Sequence, residues 1–220
     1  MSELPWLTII GLGEDGPDGL SAASLAALQT AEIVMGPPRH LALLQEVSAE
    51  QIEWPVPFAD GVERLLALRG RRVVVLASGD PFWHGAGTVL TRTLDPDEWY
   101  ALPAPSCFSL AASRLGWPVE ATICLALHAA PFDRLRPHLA DGNRLIVTLR
   151  DGAAVAPLAD YLRSVGFGAS RMVMLESLAG PGEAGDGPEH LASGADLLVL
   201  VLEELVDLGD QLAVAPSPPS

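Results

Sequence analysis

The sequence contains no lysine: all 13 of its basic residues are arginine, set against 28 acidic ones, for a formal net charge of −15. Without lysine, Schiff-base and lysine general-base chemistry are excluded. So strong an acidic excess would repel nucleic-acid phosphates and an anionic membrane surface before contact formed, so neither is expected as a partner. Cysteine is scarce too. Cys107 and Cys124 have no CxxC spacing and no histidine at ligand distance, so they read as buried structural thiols and no metal site is expected. No apolar run is long enough to span a bilayer. The N-terminal segment lacks the basic region of a signal peptide, and the expected compartment is the cytoplasm.

What is present is a globular composition, with 49% apolar residues in 220, enough for one large domain or two small ones. The most informative stretch is VVVLASGDPFWHG. Val73 to Leu76 read as a short strand buried on both faces. Ser78, Gly79, Asp80 and Pro81 then make a turn: glycine can accept a positive φ, aspartate can bond local N–H groups, and proline fixes the exit. Phe82, Trp83 and His84 add aromatic surface and a titratable ring. Such a turn is either a plain strand-to-helix connection or a ligand loop. Ligands bind at the carboxyl ends of strands in open α/β sheets.

The same grammar recurs along the chain. A strand at 6–10 precedes the loop GLGEDGPDGLS, and Ser21 is placed to cap a helix over 21–30. The GxG there lacks the third glycine of a dinucleotide fingerprint. Its acidic residues Glu14, Asp15 and Asp18 would oppose a pyrophosphate, so an NAD site is rejected. A strand at 31–35 leads to Arg39 and His40 and a helix over 39–47, then a strand at 51–54. Asp60 is expected to cap a helix over 61–68, and another helix is expected over 85–93. A strand at 99–102 leads into PAPSCFSLAASRLGWP, where Ser106 or Ser109 opens a helix. Strand, turn and helix in repetition spell an α/β fold, with a boundary at residues 116–118.

The second half shows strands at 122–127, 144–149, 171–175 and 197–202, with helices over 132–140 and 154–165. Strands so closely spaced suggest a mixed, partly antiparallel sheet. The domains expected are 1–117 and 118–206, followed by a flexible Pro/Ser tail or linker over 207–220.

On Gly11-Leu12-Gly13, Ser78-Gly79-Asp80-Pro81 and the Pro105/Ser109 helix opening, the chain resembles the tetrapyrrole (corrin) methylases, the class III fold of S-adenosylmethionine-dependent methyltransferases. That family's first loop usually reads GxGPGDPxxLT; here Glu14 stands where its proline lies. Its GDPxxxG signature is matched by Asp80, Pro81 and Gly85. Its PGxSSxxAAxxxLGxP signature is matched loosely by PSCFSLAASRLGWP. His128, LIVTLRDG and ESLAGPGE resemble most the branch that methylates a precorrin at C5 in cobalamin biosynthesis.

The resemblance implies two α/β domains with an active-site cleft between them, and a homodimer. It implies S-adenosylmethionine held by Gly79, Asp80, Trp83, Phe108, Ser109, Thr148 and Leu149, with Glu176 and Ser177 as further candidates. A precorrin tetrapyrrole would lie nearer the first loop, at Gly11, Gly13, Glu14 and Asp15. The tail would then lead toward a C15-methylating, decarboxylating partner, fused or separate.

The chemistry is compatible with these residues. A sulfonium is cationic and tolerates acidic loops. A meso carbon of an electron-rich macrocycle is already nucleophilic, so placement and water exclusion are the main requirements. The acceptor's carboxylates need a local basic patch in an acidic protein. Arg39, His40 and Arg150 are the candidates, against the alternative that they are solvated surface charge. His84 is either a packed ring or the base that takes the meso proton. Rival readings are a diphthine-synthase-like or ribosomal-RNA ribose methylase, and a non-catalytic module partnering the C15 enzyme.

Overall fold

Period-two alternation in the first strands sets the architecture. The computed structural model describes residues 5–44, 47–128, 130–186 and 198–203. Strand β1 (Leu7–Leu12) is buried along its whole length. Leu7 and Ile9 point into one apolar cluster, Ile10 and Leu12 into another. Helix α1 (Ala22–Thr30), strand β2 (Ile33–Gly36), helix α2 (Pro38–Leu43), strand β3 (Glu50–Glu53) and helix α3 (Phe58–Leu66) follow. Next come β4 (Val73–Ser78), the short α4 (Gly87–Leu90) and β5 (Trp99–Leu102).

The five strands pair in parallel in the order β3-β2-β4-β1-β5. Val73, Val75 and Ala77 share one face with Leu65 of α3 and Leu90 of α4. Val74 and Leu76 share the other with Leu28 of α1 and Leu41 of α2. A parallel sheet covered on both sides needs such continuous apolar strands. Connections from β1 and β2 run toward one edge over one face, and those from β3 and β4 run back over the other. The carboxyl ends of the neighbouring strands β1 and β4 therefore flank a topological switch point.

The chain divides into two compact units between Ser106 and Cys107. The division lies earlier than the Gly116–Pro118 turn that the sequence marks. The reason is α5 (Cys107–Leu115), whose Phe108, Ala111 and Ala112 pack with Trp117, Ile146 and Leu175 in the second unit. That unit continues with β6 (Ile123–Ala126), β7 (Leu145–Leu149), α6 (Val155–Ser164), β8 (Arg171–Glu176), β9 (Ala184–Asp186) and β10 (Leu198–Glu203). Its sheet order is β6-β7-β10-β8-β9. Among the described residues only the β6–β7 pairing is parallel, so this sheet is mixed as the close strand spacing suggests. Leu145, Val147 and Leu149 of β7 pack toward Leu158 and Leu162 of α6.

Several helix limits differ from the expectation. Asp60 does not cap α3: the helix starts at Phe58, with Pro57 at its N-cap and Asp60 inside the first turn. Trp54 stacks on Phe58 at 4.7 Å and donates from Nε1 to the Phe58 carbonyl at 3.1 Å, which draws the start forward. Helix α2 stops at Leu43, because Leu44 leaves helical geometry at φ −97°, ψ 76°. The helix expected over 85–93 shrinks to Gly87–Leu90, and the one expected over 132–140 is a 3-10 turn, Phe132–His138, with Pro137 inside it. The tail expected over 207–220 lies outside the described residues. Ser21 does cap α1, its hydroxyl accepting from the Ser24 N–H at 3.1 Å.

Candidate functional site

The site is built where β1, β2 and β4 end. Beyond Ser78, Gly79 adopts φ +53°, and a β-carbon there would stand 2.8 Å from the Pro105 carbonyl oxygen. Its N–H donates to the Leu12 carbonyl at 3.0 Å and its carbonyl accepts from the Ala104 N–H at 3.1 Å. Gly79 thus ties β1 and β4 to the segment after β5. Only glycine satisfies both the left-handed dihedral and the close approach. Gly11 faces it, and any side chain on Gly11 would be driven into the Gly79 carbonyl.

Asp80 follows as an Asx turn, its Oδ1 accepting from the Phe82 N–H at 2.8 Å. This turn presents Phe82, Trp83 and His84 to solvent, with Phe82 tilted against Trp99 at 5.6 Å between ring centroids. His84 holds φ +57°, a left-handed backbone rare outside glycine. Asp80, Phe82, Trp83, His84, Gly85, Thr88 and Val89 line an open pocket of about 610 Å³. Its size, its aromatic rings and its carboxylate suit a small ligand with a flat apolar part and a positive centre.

On the other side of the Gly79 turn, Arg39 donates from Nη1 to Glu14 Oε1 at 3.1 Å and from Nη2 to Ser78 Oγ at 2.7 Å. Ser78 Oγ also lies 3.3 Å from His40 Nε2. His40 is 3% exposed. Burial, reinforced by the Arg39 charge, lowers its pKa to about 4. His40 is therefore a neutral imidazole near pH 7, which corrects its expected part in a basic patch: it supplies a hydrogen bond, and the cation is Arg39. Asp15 is turned into its own loop, its carboxylate covering Gly13 and Gly19.

Other arginines of this unit lie at the opposite edge of the sheet, just before β4. Arg69 forks onto both oxygens of Glu98 at 2.7 and 3.1 Å. Arg71 and Arg72 pair with Glu32 at 3.9 Å, and Arg71 also with Glu50 at 3.6 Å. Those pairs clamp the amino ends of β2, β3, β4 and β5.

In the second unit the expected donor contacts are mostly core. Phe108, Thr148 and Leu149 are buried, and Phe108 packs among Ala111, Ala112 and Trp117. Leu149 packs in the core beside α6, and the side chain of Thr148 is buried. Ser109 is half-buried on α5. Arg150 is largely exposed and pairs with its neighbour Asp151 at 3.0 Å, so it is a solvated ion pair. Cys107 is held up at about 11 and Cys124 is also raised, both by burial, so neither is a thiolate nucleophile at neutral pH.

One role escaped the sequence: Ser78, read there only as part of a turn, joins Arg39 to His40. The loop after β8, which carries ESLAGPGE with Glu176 and Ser177, is shaped by its backbone. Ser177 and Ala179 take positive φ of 50° and 66°, and Glu183 holds the loop by pairing with Arg114 and accepting from the Ala179 N–H at 2.8 Å. Glu176, at the end of β8, is buried with Oε2 unpartnered among the described residues.

The sequence profile of the tetrapyrrole (corrin/porphyrin) methylases matches residues 6–184. The chain belongs to this family. Among similar tetrapyrrole methylases, a Sinorhizobium sp. protein named precorrin-6Y C(5,15)-methyltransferase [decarboxylating] is 46% identical over 180 residues, covering 81% of this chain and 44% of its own length. The chain thus spans less than half of that relative. A Salmonella typhimurium protein named cobalt-precorrin-7 C(5)-methyltransferase is 28% identical over 177 residues, covering 79% of this chain and 85% of its own length.

The fold also recurs in solved structures. The precorrin-6Y methylase of Archaeoglobus fulgidus superposes with a TM-score of 0.67 at 22% identity, covering 91% of this chain and 98% of that one. The uroporphyrin-III C-methyl transferase of Thermus thermophilus, complexed with S-adenyl homocysteine, gives 0.66 at 21%, covering 90% and 97%. These establish the two-unit α/β architecture as the class III methyltransferase fold.

Proposed function

We propose that the protein transfers a methyl group from S-adenosylmethionine to C5 of a precorrin macrocycle, a precorrin-7 to precorrin-8 step in cobalamin biosynthesis. One observation carries this reading. The same region aligns with most of a protein named for C5 methylation alone and with under half of one named for both C5 and C15. What the two names share is the C5 reaction.

The first unit supports the reading chemically. Gly79, Asp80 and Trp83 form the proposed donor loop: a carboxylate suits a sulfonium, and an indole suits adenine. Bound there, S-adenosylmethionine supplies an electrophilic methyl group. The acceptor carbon, nucleophilic in the manner of an enamine, needs no activated side chain, in keeping with two thiols that stay protonated. Arg39 is the proposed partner for an acceptor carboxylate. His84, lining the pocket, is the proposed acceptor of the meso proton. The loop at Gly11 to Asp15 is the proposed seat of the macrocycle. The reading includes a cytoplasmic homodimer working with a C15-methylating, decarboxylating activity.

Incubation with methyl-labelled S-adenosylmethionine and precorrin-7 tests it. Label at C5 is the expected result. Donor binding without transfer of label would overturn the C5 assignment.

A further inference from the structure

Glu14, Arg39, Ser78 and His40 form one line of contacts across the carboxyl ends of β1, β2 and β4, and the two partners of Arg39 in it are unlike. Ser78 closes a strand, and its hydroxyl is 2.7 Å from Nη2. A guanidinium only donates, so the serine oxygen accepts from Arg39. The same oxygen lies 3.3 Å from Nε2 of His40, a buried ring that backs the hydroxyl from behind. The Ser78 side of Arg39 is therefore braced by the core.

The Glu14 side is not. Glu14 belongs to the acidic first loop, its side chain is 44% exposed, and one of its oxygens meets one guanidinium nitrogen at 3.1 Å. The two-by-two fork that Arg39 could form with a carboxylate is left incomplete, whereas Arg69 makes that fork with Glu98.

We infer that Glu14 is a displaceable internal carboxylate, which occupies Arg39 and yields it to a carboxylate side chain of the tetrapyrrole acceptor. It thereby sets the selectivity of the site. A small monocarboxylate gains almost nothing by exchanging one carboxylate for another. A polycarboxylate macrocycle held by its other contacts presents its own at high effective concentration and can complete the fork. Ser78, backed by His40, is the positioning residue that keeps Arg39 aimed while its second partner changes. The inference rests on the reading of the acceptor as a carboxylated tetrapyrrole.

The test is equilibrium binding of uroporphyrin, a polycarboxylate tetrapyrrole, to the full chain, with acetate as the monocarboxylate competitor. Glu14→Gln is expected to tighten uroporphyrin roughly three- to fivefold, the scale of an exposed ion pair. It should also make the site newly sensitive to acetate. Ser78→Ala is expected to weaken uroporphyrin by a similar factor, so removing the two partners of Arg39 acts with opposite sign. In an Arg39→Leu background the gain from Glu14→Gln should vanish. Asp18→Asn, which removes one charge from the same loop, should change binding less than Glu14→Gln.

Weaker or unchanged binding in Glu14→Gln overturns the inference, as does a gain that survives Arg39→Leu or is matched by Asp18→Asn. Glu14→Ala serves as the second variant should Glu14→Gln fold poorly. Loss of methyl transfer with this binding pattern intact would overturn the C5 reading alone. Transfer to C5 with no effect of Glu14→Gln would overturn this inference alone.

Discussion

Gly11 and Gly79 face each other so closely that a β-carbon on the first would overlap the carbonyl oxygen of the second. The end of β1 and the turn after β4 meet there backbone to backbone, and both depend on having no side chain. Gly11→Ala must push β1 and β4 apart at their ends and should cost more than about 3 kcal/mol, within the range of severe single substitutions. Gly79→Ala adds a left-handed dihedral penalty of about 1–2 kcal/mol to a tight contact with Pro105. Urea unfolding midpoints check the stability loss, and calorimetry with S-adenosylhomocysteine checks the accompanying loss of donor binding. A Gly11→Ala protein with an unchanged midpoint would contradict the geometry.

His40 makes the fold sensitive to mild acid. Its pKa falls from 6.5 to about 4 on folding. Between those values the unfolded chain binds a proton that the native protein refuses, so stability rises with pH across this window. Its contribution is fully present above pH 6.5 and is lost as the pH falls toward 4, on the order of 3 kcal/mol in all. His40→Gln should flatten this part of the profile while leaving the more acidic part in place. Unfolding midpoints measured from pH 7 to pH 4 decide it.

A lower window belongs to two glutamates. Glu98 is held at about 2 by the Arg69 fork, the Asp95 N–H and the Trp6 indole, and Glu183 at about 2 by Arg114 and the Ala179 N–H. Both are lowered from 4.5, so what they contribute is complete above 4.5 and is lost as the pH falls through about 2. Arg69→Met and Arg114→Met should each reduce the dependence of the midpoint on pH below 4.5. The effect should be small for each, because these pairs are solvent-screened.

The aromatic turn can be probed without disturbing the core, since Trp83 is 38% exposed. Trp83→Ala should weaken S-adenosylhomocysteine roughly tenfold, the cost of losing one aromatic contact at a binding site, with little change in unfolding midpoint. His84→Asn should keep donor affinity and lower the rate of methyl transfer. A variant that binds and turns over normally would remove these residues from the proposed site.

How much of this was legible depends on how far apart the interacting residues lie in the chain. The run from Val73 to Leu76 reads directly as a strand buried on both faces, because burial on two sides leaves no polar alternation to confuse it. The mixed second sheet was legible from strand spacing, and the Ser21 cap from one hydroxyl three residues before the N–H that donates to it. The start of α3 was not, because it depends on Trp54 stacking on Phe58, a contact that outweighs the capping preference of Asp60. The nature of His40 was not legible either. A histidine beside an arginine at a strand end reads as a basic patch. Only the fold shows that it is buried and turned toward Ser78, 38 residues further along. Ser78 itself was visible as part of a turn and invisible as the group that aims Arg39.

The clamp of Arg69, Arg71 and Arg72 at the amino ends of the first sheet has a consequence for how this protein can change. Those cations answer to glutamates at the amino ends of the strands, while the proposed ligand loops hang from the carboxyl ends. The ion pairs and the proposed loops thus stand at opposite ends of the same five strands. Substitutions at the pairs, each small in its effect, leave the proposed loops untouched, and changes in the loops leave the pairs in place.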